Sequence, residues 1–189
     1  RALGTDAMAV ACDVTDEASV QAAVERIVAE WGRLDVVLAN AGFAIAGKVE
    51  ALTDADWRRQ FDTNVFGLLN TARHALPELR KTEGRLGLVG SVAGFVSAPK
   101  NGAYNASKYA VRAIAETLAA ELAGTGVSCS GIHPGFVESE IAQVDNEGRF
   151  DPERKDRRPK QLMWRAEDAA REVVDGLVAR RREVVVTRH

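Results

Sequence analysis

Leu86-Gly87-Leu88-Val89-Gly90-Ser91-Val92-Ala93-Gly94 is the stretch on which the fold turns. Residues 86–90 are a short apolar run without polar alternation, the pattern of a strand buried on both faces. The glycines that follow let the chain turn at the strand's carboxyl end. Downstream, residues 103–123 are alanine-rich and of helical length, closed by Gly124. A second apolar run at 127–133 stops at Pro134-Gly135. Upstream, Thr53 with Asp56 three residues later predicts a capping box for a long helix to about Lys81. Pro77 should kink or shorten that helix near its end. Residues 34–39 form another strand. Before them, Asp16 opens a helix whose Val20, Val24, Ile27, Val28 and Trp31 share one face, ended by Gly32. Residues 7–13 read as a buried strand, 166–180 as a helix and 183–187 as a last strand. Strands that alternate with helices and run continuously apolar predict an α/β fold, a doubly wound parallel sheet in a single domain. Ligands of such sheets bind beyond the carboxyl ends of the strands.

The formal net charge is −2 over 189 residues. A generic nucleic-acid binder would need a clear basic excess, so that class is set aside. No window holds the ~18 consecutive apolar residues of a membrane span. Cys12 and Cys129 both fall in strand-like runs and read as buried free thiols of a reducing compartment, with cytoplasm as the expected location. His74, His133 and His189 show no metal-ligand spacing, so no metal is expected. The start, Arg1-Ala2-Leu3-Gly4, has no apolar signal core and no initiator Met, which points to a segment upstream. No internal repeat or low-complexity linker interrupts the chain.

Tyr104 and Lys108 stand four apart in a predicted helix and share a face. A free phenol titrates near ~10, too high for a base at neutral pH. An ammonium about 4 Å away interacts by roughly 4 kcal/mol at an effective dielectric of ~20, enough to bring the phenol toward neutrality. With two Tyr and six Lys in 189 residues, chance gives this spacing roughly one time in sixteen, so the pair needs context. Ser91 supplies some: at a strand's carboxyl end its hydroxyl can meet a substrate oxygen, or simply satisfy the turn backbone. Asn40-Ala41-Gly42 ends the preceding strand in the same way. Asn64 lies inside the long helix, where it can bend the helix, bind water or face solvent.

Taken together, these positions resemble the short-chain dehydrogenase/reductase family. The matches are Asp13-Val14, Asn40-Ala41-Gly42, Asn64-Val65-Phe66-Gly67, Gly90-Ser91, Tyr104-Asn105-Ala106-Ser107-Lys108 and Pro134-Gly135. Their order and separations follow the family, including the 13 residues from Ser91 to Tyr104. The resemblance implies a Rossmann-like fold and reversible hydride transfer between a nicotinamide cofactor, NAD or NADP, and a ketone or secondary alcohol. Tyr104 would be the general acid or base. Lys108 would lower its pKa and hold the nicotinamide ribose, Ser91 would polarise the carbonyl, and Asn64 would hold a proton-relaying water. Asp13 and Val14 would border the adenine, and Asn40, Ala41 and Gly42 the cofactor ribose side. Pro134, Gly135, Val137 and Ser139 would line the nicotinamide, Ser139 standing where the family commonly has Thr. Epimerisation or dehydration on the same fold, and a non-enzymatic sensing or scaffolding role, remain the alternatives.

The larger departure is that no Thr-Gly-x-x-x-Gly-x-Gly turn occurs in the sequence. In the family that turn cradles the cofactor pyrophosphate. The family's strand order is 3-2-1-4-5-6-7, and the runs found here correspond to strands 3 to 7. The first β-α-β portion is therefore expected upstream. The alternative is that 7–13 docks directly against 34–39. On this reading the 189 residues alone would bind NAD(P) poorly. Residues 149–160 hold six basic and three acidic residues, and Arg180-Arg181-Arg182 closes the last helix; both read as solvated surface, the arginines also suiting the helix dipole. Residues 136–164 occupy the family's substrate-loop position as a lid, and their Phe136, Phe150, Met163 and Trp164, with Phe95, point to an apolar substrate. The two long helices resemble those that pair subunits in the family, implying a homodimer or homotetramer.

Overall fold

The computed structural model describes residues 7–187. Strands β1 (Val36–Ala39), β2 (Arg85–Val89), β3 (Ser128–Pro134) and β4 (Glu183–Val186) form one sheet in that spatial order, every pair parallel. Helices α1 (Glu17–Trp31), α2 (Asp54–Phe61), α3 (Leu68–Thr82), α4 (Gly102–Glu121) and α5 (Ala166–Val178) accompany it. Successive parallel strands need a crossover, and α2 with α3, α4, and α5 supply the three.

The core has two parts. On one face Leu86 and Leu88 of β2 and Cys129 of β3 pack with Leu68, Ala72, Leu76 and Leu79 of α3 and Val111 and Ala115 of α4. On the other, Ile132, Val184 and Val186 pack with Ala169 and Leu177 of α5. Continuous apolar strands are what this two-sided burial requires, each fully buried Leu stabilising by about 1.5–3 kcal/mol before entropy.

The end signals of the helices behave as the sequence predicts. The Asp16 carboxylate accepts from the Ala18 N–H at 3.0 Å, and Gly32 closes α1 with φ of +71°. Thr53 and Asp56 make the capping box: the Thr53 N–H donates to Asp56 at 2.9 Å and the Asp56 N–H to Thr53 Oγ1 at 3.3 Å. Gly124, just past α4, has φ of +80°.

Several expectations are corrected. Residues 7–13 form no strand: among the described residues nothing pairs with them, Val10 is 37% exposed, and Cys12 is exposed rather than buried. An apolar run becomes a strand only beside another strand, and β1 pairs here with β2 alone; the direct docking of 7–13 on 34–39 is not adopted. Trp31 is half exposed, so the buried stripe of α1 is shorter than its pattern. Pro77 does not shorten the helix, which continues to Thr82; its ring faces solvent. The long predicted helix is three pieces, because a π-turn at Asp62–Gly67 separates α2 from α3. The expectations about Arg1-Ala2-Leu3-Gly4 and His189 fall outside the described residues. No described helix is long and apolar enough to cross a membrane.

Candidate active site

Beyond β1 the chain leaves the sheet and runs extended across α2. Its backbone groups must find partners off the sheet, and two buried amides provide them. Asn64 Oδ1 accepts from the Phe43 N–H at 3.1 Å, while its Nδ2 donates to the Phe43 carbonyl at 3.1 Å and to Ser107 Oγ at 3.0 Å. Gln60 Oε1 accepts from the Ile45 N–H at 2.7 Å, and its Nε2 donates to the Phe43 carbonyl at 2.8 Å. Both side chains are shut off from water, which corrects the solvent-facing option for Asn64. The Asn64 side chain is committed to protein partners, and the helix around it is locally a π-turn, a feature that concentrates at functional sites. Ser107 in turn donates to the Tyr104 carbonyl at 2.7 Å.

Gly42 is drawn against this cluster. A Cβ there would lie 3.0 Å from Asn64 Oδ1 and 3.7 Å from Lys108 Nζ, so only glycine lets the turn come this close to the lysine without displacing the pinned amide. Lys108 is buried on the second turn of α4, its ammonium donating to the Val89 carbonyl at 2.8 Å and standing 5.8 Å from the centre of the Tyr104 ring. Burial lowers its pKa to about 8. The Tyr104 phenol moves the other way: burial raises its pKa, opposed by a hydrogen bond with Ser91 and by the charge of Arg158. The expectation that Lys108 draws the phenol down is therefore not met, because the ammonium turns to the Val89 carbonyl. Ser91 satisfies its turn backbone and also stands beside the phenol. Its hydroxyl accepts from the Ala93 N–H at 3.1 Å, donates to the Pro134 carbonyl at 3.3 Å, and reaches the phenol.

Gly42, Asn64, Ser91, Tyr104, Lys108 and Pro134 thus come together at the carboxyl ends of β1, β2 and β3, while other candidates stay apart. Asp13 accepts from the N–H and hydroxyl of Thr15 at 2.9 and 2.8 Å, which hold its carboxyl below the usual range. Val14 is seated on α3, its carbonyl accepting from Asn70 Nδ2 at 3.0 Å, and a Cβ at Gly67 would lie 2.7 Å from the Val14 side chain. Asn40 and Ala41 are exposed at the mouth of the sheet. The Gly135 N–H donates to the Val186 carbonyl at 2.9 Å, carrying the sheet's pairing one residue past Pro134.

Residues 136–164 fold back on themselves, the Trp164 N–H donating to the Phe136 carbonyl at 2.8 Å and the Glu138 N–H to the Trp164 carbonyl at 2.9 Å. Arg158 locks this loop. Its guanidinium donates to the carbonyls of Val137 and Ser139 at 3.0 and 2.8 Å, to Ser139 Oγ at 3.2 Å, and to Asp156. Ser139 Oγ also donates to the Val137 carbonyl at 3.3 Å. Asn146 fastens the loop tip to the segment after β1, accepting from the Ala46 N–H and donating to its carbonyl, both at 3.0 Å. Sequence reasoning missed Gln60, Arg158 and Asn146. For Gln60 a signal existed: it stands four residues before Asn64, so two amides share one helix face. The solvated-surface reading of 149–160 fails at Arg158, whose donors are spent inside the loop.

A phenol held protonated, a hydroxyl bonded to it and a buried cation nearby can deliver a proton to an oxygen placed at the strand ends. A family model described as short chain dehydrogenase matches residues 1–149. The chain is 39% identical over 124 residues to a 3-ketodihydrosphingosine reductase of Bacteroides thetaiotaomicron, covering 65% of this chain and 46% of that protein. It is 32% identical over 145 residues to the 3-oxoacyl-acyl-carrier-protein reductase FabG of Staphylococcus aureus, covering 76% and 59%. The chain thus spans about half the length of these curated relatives. Among solved structures, a short chain dehydrogenase/reductase from Burkholderia phymatum in complex with NAD superposes with a TM-score of 0.86 at 28% identity, over 97% of this chain and 72% of that one.

Proposed function

The chain belongs to the short-chain dehydrogenase family, and on that premise we propose that it is part of an NAD(P)-dependent oxidoreductase interconverting a ketone and a secondary alcohol, with Tyr104 as its general acid and base. The observation that carries this reading is the meeting of the Tyr104 phenol, the Ser91 hydroxyl and the buried Lys108 beside Gly42.

The residues present fit the nicotinamide end of a dinucleotide: Gly42 brings the turn after β1 close against the Asn64 amide with no side chain between, and a buried ammonium lies beside it. When bound, the nicotinamide supplies or accepts the hydride. Asn40, Ala41, Gly42 and Lys108 would hold its ribose side, Pro134, Gly135, Val137 and Ser139 would border its ring, and Asp13 and Val14 would border the adenine. The phenol is protonated at neutral pH, and burial raises its pKa further, which suits Tyr104 to give its proton to a carbonyl oxygen during reduction. Ser91 steadies the same oxygen. Alcohol oxidation needs the phenol ionised, so rising pH favours oxidation and falling pH favours reduction. Asn64 acts by position, its side chain holding Phe43 while its helix carries the cluster.

Tyr104→Phe, tested in the full-length protein, should abolish ketone reduction while cofactor binding stays within a few fold, since it removes one transferable proton. Lys108→Met should weaken both. Reduction by Tyr104→Phe at the wild-type rate would sink the assignment. The finer reading is an apolar ketone, in keeping with Phe95, Phe136 and Trp164 near the loop and with relatives named for 3-keto and 3-oxoacyl compounds. It extends to a cytoplasmic homodimer or homotetramer paired through α2, α3 and α4.

A further inference from the structure

We propose that Gln60 is a positioning residue for the cofactor-side turn Asn40-Ala41-Gly42, acting with Asn64 as a two-amide clamp on the backbone of Phe43 and Ile45. The proposal rests on the reading that this turn borders the cofactor. Gln60 is fully buried on α2, and both ends of its amide are used: Oε1 on the Ile45 N–H at 2.7 Å and Nε2 on the Phe43 carbonyl at 2.8 Å. Its orientation is dictated by the backbone it meets, because an N–H requires an acceptor and a carbonyl a donor. Asn64 grips the N–H and carbonyl of Phe43 from the next turn of the same helix face. Together the two amides stand in for a neighbouring strand and satisfy the backbone at 43–45.

The consequence lies one residue upstream. Gly42 is bonded to Phe43, and its Cα faces both Asn64 and the Lys108 ammonium, with 3.7 Å between a notional Cβ and Nζ. A slip of the extended segment along the helix would shift Gly42 relative to Lys108 by the same amount. Gln60 touches neither substrate nor cofactor in this arrangement; it fixes the register of the segment that does. A helix that merely needed a packed residue here would take an apolar one at less cost than a buried amide.

Gln60→Glu separates these roles. A protonated carboxyl copies the amide, its carbonyl accepting from Ile45 and its hydroxyl donating to Phe43, whereas a carboxylate presents lone pairs to the Phe43 carbonyl. Burial and that opposing carbonyl raise the introduced group's pKa. NADH and NADPH are titrated by fluorescence, without substrate, into the full-length protein between pH 5.5 and 7.5, below the Lys108 value of about 8. Gln60→Glu should bind within about twofold of wild type at the acid end and roughly tenfold more weakly at pH 7.5, a loss the size of one or two hydrogen bonds. Gln60→Met, which carries no charge, should bind roughly tenfold more weakly at both pH values while kcat at saturating cofactor falls less than threefold. Wild-type affinity in folded Gln60→Met, or a Gln60→Glu profile parallel to wild type, overturns the clamp and leaves the oxidoreductase reading standing. Wild-type protein that binds neither nucleotide overturns both.

Discussion

Lys108 holds its charge where water scarcely reaches, and one hydrogen bond to the Val89 carbonyl replaces the hydration it has lost. Its pKa in the folded chain is about 8, set by burial, against ~10.4 in an unfolded chain. Between those values the unfolded state binds the extra proton, so stability must rise with pH across that window and the penalty is fully present below pH 8. Cys129 and Tyr104, whose pKa values burial raises, pull the other way at the alkaline end, so the lysine is read from the difference between two proteins. Urea unfolding from pH 7 to 10 should favour wild type over Lys108→Met by an amount that grows by on the order of 3 kcal/mol. Parallel profiles for the two proteins would place the lysine in water. This tension was only half legible in the sequence. The spacing of Tyr104 and Lys108 put them on one face of a helix, but which carbonyl the ammonium would choose depends on where β2 ends. Arg180 is a second case. Read as a partner of the helix dipole, it has a left-handed backbone, φ of +53°, and its guanidinium reaches the carbonyls of Glu83, Gly84 and Gly126 at 2.5, 3.5 and 2.7 Å. No local pattern announces three carbonyls gathered from two distant turns.

The pieces α2, π-turn and α3 show the same limit in a longer element. The capping box of Thr53 and Asp56 and the apolar spacing both read as helix, and helix is what forms. The extra residue of the π-turn is invisible to periodicity because the pattern on each side of it remains helical. Yet that turn begins between Gln60 and Asn64. Deleting Asp62, which is exposed, would close the wide turn and leave Gln60 three residues before Asn64, changing the spacing of the two amides along the segment they grip. Both could then no longer meet the backbone at 43–45 in its present register. The variant should keep its helical circular dichroism and bind NADH and NADPH at least tenfold more weakly, the scale of one lost pair of hydrogen bonds. Affinity unchanged by the deletion would mean that the phase of this helix is immaterial to the site. Residues 7–13 fail for a complementary reason. Their composition suits a strand, but composition does not say whether another strand lies alongside, and among the described residues none does.

At the scale of the molecule, the parallel sheet was readable because apolar strands alternate with helices, while the order of its strands came only with the family resemblance. Which surfaces meet other chains was not readable, since that depends on exposure in three dimensions. Among the described residues, two exposed apolar helix surfaces bear on assembly. One is on the long helices, where Phe66 of the π-turn and Tyr109 of α4 are 54% and 42% exposed. The other is on α5, where Val174 and Val178 are 55% and 64% exposed. A helical face that meets its own copy about a twofold axis closes at a dimer. The homodimer or homotetramer is proposed on the first surface, and light scattering of the full-length protein at micromolar concentration can assign it. Phe66→Glu with Tyr109→Glu should convert a discrete oligomer to monomer, because each buries a charge in the contact. Val174→Glu with Val178→Glu should leave that oligomer intact. The reverse outcome, a discrete oligomer lost with the α5 double variant and kept in the other, would move the subunit contact to α5.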